Sequence, residues 1–491
     1  MASLRQLIKI MEEQVCILEK LEAEDGKPLP DLYMPYSTSS EAFRQNVASA
    51  TAAKTACAAA FQLVAILNVP QVSLYHAVGG HYRSSAIRAC LESHVTEILR
   101  EAGPKGLHVN FIAAKNKQDP AKLGRFLRYL SIHHIYREIS PDVFTNTRIS
   151  SLLDTGKQSA ELIANPLTKY DNTDGLAALA SHHLDESFKA SAYSWEALSN
   201  PGTAFSQDPT QSPFCIAHNT SDTKWEYYDR PDQSYRRNRF AVGMRGVQAL
   251  QPPNAILDIY DWGRLSSESV IVDIGAGIGM ASLAIAENFP KLKFIIQDVS
   301  PGVIKEGHEM WMNRVPDMLN KGNVQFQVHN FFDPQLKENM EAKPSIFILK
   351  QVLHDWSDKY ALQILSRLRD VAGLETTILI IDTIIPLGCR QDNAAQTLVN
   401  PSVPSTKGNE NMAGIIEDHP PVEAPAPLLL NFGAVNEVEY MIDMQMFHMF
   451  NSQERTLIHF QKLLLKAGWR IRRVNRREGA NYLQCIEAVP M

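Results

Sequence analysis

Two stretches of the chain place reactive side chains where a turn could present them. The first runs Phe347-Ile348-Leu349-Lys350-Gln351-Val352-Leu353-His354-Asp355-Trp356-Ser357-Asp358, a histidine beside a carboxylate just after an apolar strand pattern. A carboxylate on one imidazole nitrogen fixes the tautomer and leaves the other nitrogen as a base. Two further carboxylates are candidates to approach it: Asp382, ending another apolar run, and Glu454 in Asn451-Ser452-Gln453-Glu454-Arg455-Thr456. The second stretch is Val270-Ile271-Val272-Asp273-Ile274-Gly275-Ala276-Gly277-Ile278-Gly279, where glycines let the backbone turn sharply and approach a ligand closely. A pyrophosphate-binding GxGxxG starting at Gly275 would need glycine or alanine where Met280 stands, so that reading weakens. Asp298 ends the next strand pattern, suited to accept hydrogen bonds from ribose hydroxyls.

The elements that must position these residues alternate. Strand patterns cover 270–274, 294–297, 324–328, 346–349 and 378–381, with helices over 280–288, 303–314 and 360–371. This predicts an α/β fold, a parallel sheet wrapped by helices that binds its ligand at the carboxyl ends of the strands. Runs at 469–474 and 482–488 predict an antiparallel hairpin closing the sheet. Between 391 and 427, six prolines and few large apolar residues predict a mobile surface insertion without chemistry. Met446 and Phe450, in a Met- and Phe-rich segment, suit either a pocket for a flat aromatic molecule or an ordinary buried helix.

The first half reads as mainly helical. Leu4, Leu7, Ile8, Met11, Val15 and Leu18 trace one apolar stripe, suited to packing on another helix or subunit. The alanine-rich stretch 48–67 reads as a buried helix. Over 90–155, helices at 94–102 and 109–114 and one opening at Asp119-Pro120 precede strands at 135–139 and 143–149, a winged-helix pattern. Lys122, Arg125 and Arg128 would face DNA or solvent. A chain with 48 Lys and Arg against 54 Asp and Glu favours solvent, and no nucleic-acid partner is expected. The irregular stretch 200–224 suggests an N-terminal domain over 1–210 and a C-terminal domain over 211–491.

A composition 45% hydrophobic and 21% charged excludes global disorder. Six widely spaced cysteines without CxxC argue against zinc or redox motifs and for a reducing compartment. Arg5, Lys9, Glu12 and Glu13 interrupt the start of the chain, so no signal peptide is expected. With no apolar run read as a membrane span, a cytoplasmic protein without a membrane partner is expected.

Together, VDIGAGIG, Gln297-Asp298, LKQVLHDWSD, the strand ending in Asp382 and SQERT resemble the small-molecule O-methyltransferases that use S-adenosylmethionine. The likeness is to the plant caffeate and flavonoid enzymes and, more closely, to fungal relatives with text like Tyr227-Tyr228-Asp229-Arg230-Pro231. It covers most of the chain. It implies a Rossmann-like methyltransferase domain with a mostly parallel seven-stranded sheet, behind a mainly α-helical winged-helix domain that forms a homodimer. It implies His354 as general base flanked by Asp382 and Glu454, with Asp355 orienting. Gly275, Gly277, Asp298, Asn330, Phe331 and Lys350 would bind the cofactor; Met446 and Phe450 are the residues of the Met- and Phe-rich segment that would line a substrate pocket. The reaction implied is in-line methyl transfer to a hydroxylated aromatic, leaving S-adenosylhomocysteine and needing no metal. Two positions depart from the pattern: Asn330 stands where aspartate is usual, losing a charge, and Asp382 where the plant enzymes have glutamate. Such a fold could instead catalyse a rearrangement, cyclisation or dehydration, or serve as a winged-helix ligand sensor. The retained His354, Asp382 and Glu454 oppose the former, and the lack of a concentrated basic helix opposes the latter.

Overall fold

A computed structural model describes residues 4–249, 255–335, 343–389, 415–476 and 483–491. The chain forms two compact units, Met1–Ala204 with Thr210–Pro252, and Phe205–Pro209 with Pro253–Met491. This differs from a boundary at 210/211, because the Ser234–Ala249 helix packs on the Leu176–His182 helix of the first unit. The approach needs glycine: a Cβ on Gly246 would lie 2.6 Å from the Gly175 carbonyl carbon. Only residues 205–209 join the second unit, where Asn451 Nδ2 donates to the carbonyls of Ser206 (3.0 Å) and Asp208 (2.9 Å).

In the first unit, helices Val95–Ala102, Val109–Asn116 and Pro120–Ser131 pack with three short antiparallel strands: β1 (Leu107–His108), β2 (Tyr136–Ser140) and β3 (Val143–Asn146), in the order β1-β3-β2. Asp119 caps the third helix by accepting from Lys122 N at 2.8 Å. Ile98, Leu99, Ile112, Leu127, Leu130 and Phe144 form the core. Arg128 bonds Asp142 in the β2–β3 turn at 2.5 Å. The Val47–Leu67 helix is not buried as expected: Phe61, Val64, Ile66 and Leu67 are exposed. Its mean hydropathy of 1.5 over an 18-residue window, 22% of it buried, makes it long and apolar enough to cross a membrane by length and composition. This corrects the expectation that no apolar run reaches that length, since alanine-rich text suits an exposed face as well as a core.

The second unit is built on one sheet of β4 (Val270–Ile274), β5 (Lys293–Asp298), β6 (Val324–Val328), β7 (Ile346–Lys350), β8 (Thr377–Asp382), β9 (Ile416–Asp418), β10 (Trp469–Asn475) and β11 (Gln484–Pro490). The order is β6-β5-β4-β7-β8-β11-β10-β9, parallel through β8, with β11 antiparallel to both neighbours. The expected seven strands are joined by an eighth: β9, from the tail of the 391–427 segment, lies parallel to β10, and Asp418 accepts from Arg473 Nη1 at 2.6 Å. Residues 391–414 of that segment lie outside the described residues.

Side-chain alternation feeds two cores. Val272, Ile274, Phe347, Leu349, Ile378 and Ile380 face Ile364, Leu365, Leu368, Phe460 and Leu464, while Ile271, Ile346, Ile348, Leu379 and Ile381 face Leu283, Ile285 and Trp311. Burial on both faces explains why these strands are continuous apolar runs. The chain leaves β4 toward β5 and β6, then crosses back to β7 and β8. The switch point therefore opens beside the carboxyl end of β4, where such sheets bind ligands.

Candidate active site

At that point Gly275, Gly277 and Gly279 all adopt positive φ, at 62°, 57° and 77°. A Cβ on Gly275 would meet Val352 Cγ2 at 3.2 Å and the Phe331 ring at 3.4 Å, whereas one on Gly277 meets nothing within 4 Å. The turn is thus closed at its base and open at Gly277. Asp298, ending β5, accepts from Gly277 N through Oδ2 and from Ser300 N through Oδ1, both at 3.0 Å. Each oxygen keeps a lone-pair site for a hydroxyl. These features fit the ribose and backbone approach of S-adenosylmethionine.

Under the turn, burial raises the Asp273 carboxyl to about 6, although Ser282 Oγ donates to it at 2.6 Å and Lys350 lies nearby. Lys350, ending β7, donates to Gln351 Oε1 at 3.0 Å. Burial lowers its pKa, with Asp273 and Asp382 pulling the other way. Phe331 stacks edge-on with Phe332 and Trp356 at centroid separations of 4.9 and 5.8 Å. Asn330 is exposed and its side-chain carbonyl accepts from Phe332 N at 3.1 Å, a local turn contact.

The candidate histidine and its carboxylates meet where β7 ends. His354 Nδ1 donates to Glu454 Oε1 at 2.7 Å across a separation of 100 residues, while Nε2 is 3.7 Å from Asp355 Oδ1, beyond hydrogen-bond reach. Burial alone would pull the imidazole pKa down. Glu454, Asp355 and Asp382 outweigh it and hold the ring at about 10. Asp382 is 1% exposed and neither of its oxygens has a hydrogen-bond partner. Burial pushes its carboxyl up to about 7, against the pull of His354. Glu454 Oε2 is likewise unpartnered. The structure therefore gathers His354, Asp355 and Glu454 directly, and Asp382 through their shared field.

Contacts around this group involve residues that sequence reasoning passed over. Asp443 accepts from Glu454 N at 2.8 Å, and Ser452 Oγ donates to His354 O at 2.6 Å. Arg455, 1% exposed, donates through Nη1 to Leu353 O (2.8 Å), through Nη2 to Trp356 O (2.7 Å) and through Nε to Asp358 Oδ1 (3.0 Å). Ser452 and Arg455 stand inside the SQERT text, of which only the glutamate suggested chemistry. Met446 and Phe450 are both 6% exposed on the Glu437–Phe450 helix, as either a pocket wall or a core would require. His182, in the first unit, is buried beside Glu186. Among the described residues there is no group of three or more His, Cys, Asp or Glu that could hold a metal ion.

Residues 195–414 match the O-methyltransferase domain family. The chain is 44% identical to 4-O-methyltransferase 1 of Phanerochaete chrysosporium, over 99% of each chain. It is 36% identical to an O-methyltransferase of Armillaria gallica, over 96% of this chain and 95% of that one. Among solved structures it resembles an O-methyltransferase from neocarzinostatin biosynthesis in complex with S-adenosylmethionine and a hydroxynaphthoic acid (TM-score 0.54, 20% identity, covering 84% and 96%). It also resembles a pericyclic reaction enzyme (TM-score 0.61, 16% identity, covering 91% and 97%), a likeness of fold. The chain belongs to the O-methyltransferases of the S-adenosylmethionine-dependent type. It is an enzyme of that family, with the Rossmann-like sheet and helical N-terminal region that the motifs implied.

Proposed function

We propose that the enzyme methylates a hydroxyl, phenolic in character, of a small aromatic metabolite, with His354 as general base. The observation that carries this is the His354–Glu454 pair at the carboxyl end of β7, the strand next to the glycine turn of β4. S-adenosylmethionine supplies an electrophilic methyl group on a sulfonium centre. Everything else concerns the oxygen. A phenol of pKa about 10 is ~0.1% ionised at neutral pH, so exposing its lone pair costs about 4 kcal/mol. An imidazole held at about 10 matches that acidity, so its neutral form takes the proton at Nε2 with little change in free energy, and the share of enzyme carrying the neutral ring grows as pH rises toward 10. Glu454 stabilises the imidazolium that forms, and Asp382 adds negative potential from a side chain with no competing hydrogen bond. Met446 and Phe450 would flank the aromatic ring.

Gly275, Gly277, Asp298, Phe331 and Lys350 form the cofactor side in this reading. Asn330 would contribute least, since it is exposed and already bonded to Phe332 N. The exposed apolar helices of the first unit form the surface of a homodimer, in the cytoplasm and without nucleic-acid or membrane partners. A screen of hydroxylated benzenes and naphthalenes with labelled methyl donor, read by mass spectrometry, tests the acceptor class. His354→Ala should lower transfer to the best acceptor by orders of magnitude while affinity for S-adenosylhomocysteine stays within about twofold; undiminished turnover would remove the base assignment.

A further inference from the structure

The three segments that carry the proton-handling residues are far apart in sequence, and one side chain touches or adjoins each of them. The Arg455 guanidinium reaches the carbonyls of Leu353 and Trp356, which bracket His354, and the carboxylate of Asp358. Its backbone follows Glu454 directly and forms a parallel bridge with Ile384, where Arg455 O accepts from Ile385 N at 3.0 Å, just beyond Asp382. Asp358 is held on its other side by His459 Nε2 at 2.6 Å. The carbonyl of His354 itself is taken by Ser452, on the same strand of text. A lysine could reach one or two of these acceptors but could not span all three, because the match is to a planar fork.

We infer that Arg455 is a positioning residue for methyl transfer: its guanidinium fixes the backbone on both sides of His354 so that the imidazole is held against Glu454 and beside Asp382. The inference rests on the reading of His354 as the base. A misplaced base loses rate rather than cofactor affinity, since none of the groups Arg455 bonds belongs to the glycine turn or to Asp298.

The test is a double-variant cycle of Arg455→Lys and His354→Ala, with labelled S-adenosylmethionine and the best phenol from the screen above. Arg455→Lys should lower kcat by about 10- to 100-fold, leave S-adenosylhomocysteine affinity within about twofold, and have almost no further effect in the His354→Ala background. Ser452→Ala, which removes the side-chain bonds to the His354 and Met446 carbonyls, should lower kcat by several-fold and likewise lose its effect without His354. An Arg455→Lys enzyme with wild-type kcat, or a loss of equal size with and without His354, overturns the inference. Should Arg455→Lys fail to fold, Asp358→Asn, which weakens the guanidinium's only carboxylate contact among the described residues, decides by the same criterion. If His354→Ala alone leaves turnover intact, it is the base reading that has failed, and the two failures are told apart.

Discussion

At the scale of residues, the site is a set of protons held where water would not hold them. Asp382 is a buried carboxylate without a hydrogen-bond partner, and a chain keeps such a group only against a cost. Its folded pKa of about 7 lies above the ordinary carboxylate value, so the native state retains a proton that the unfolded chain has released. Stability therefore falls as pH rises from about 4 to about 7. Asp382→Asn should raise the melting temperature at pH 8 and flatten that slope while lowering turnover; an unchanged dependence of melting temperature on pH would contradict the burial argument. His354 acts in the same direction at higher pH: its folded pKa near 10 gives stability present below about 6.5 and lost as pH rises toward 10. Because only the neutral ring can take a proton, log kcat/KM should climb with near-unit slope between pH 7 and 9, and a flat profile there would be inconsistent with it. Histidine and Glu454 were legible as candidates from their neighbours in sequence. That they meet at Nδ1 was not, since 100 residues separate them and only the sheet brings them together.

At the scale of elements, strand alternation made the parallel sheet readable, because strands buried on both faces are unbroken apolar runs. The short β9 was hidden by the prolines around it: three residues paired to β10 leave no period to detect. The glycine turn was readable as a turn, but its division of labour needed coordinates. Gly277→Ala should cost about 1 kcal/mol of stability through its positive φ, with nothing in the protein to clash, yet weaken S-adenosylhomocysteine binding more than tenfold by filling the open side. Calorimetry would check this, and unaltered affinity would place the cofactor elsewhere. Asp298→Ala, which leaves Gly277 N and Ser300 N without their acceptor, should weaken the same binding and lower stability together.

At the scale of the whole molecule, the Val47–Leu67 helix shows what composition leaves undecided. Alanine, phenylalanine and valine suit a core as well as an outward face, and only the fold shows Phe61, Val64 and Leu67 exposed. If a second copy covers them, sedimentation should give a dimer for the native chain and a monomer for Val64→Glu with Leu67→Glu; a monomeric native chain would leave that face unexplained. The irregular stretch after residue 200 reads as a linker, and residues 205–209 and 210–252 belong to different compact units. The proposed reaction turns on one proton. Methyl-transfer rates at pH 7.5, for native enzyme and His354→Ala, along a series of phenols graded in acidity would follow it most directly. Transfer to a phenol of pKa near 10 should fall most, and the loss should shrink toward none for phenols already ionised at that pH. A loss of the same size across the series would mean that His354 does something other than take the proton.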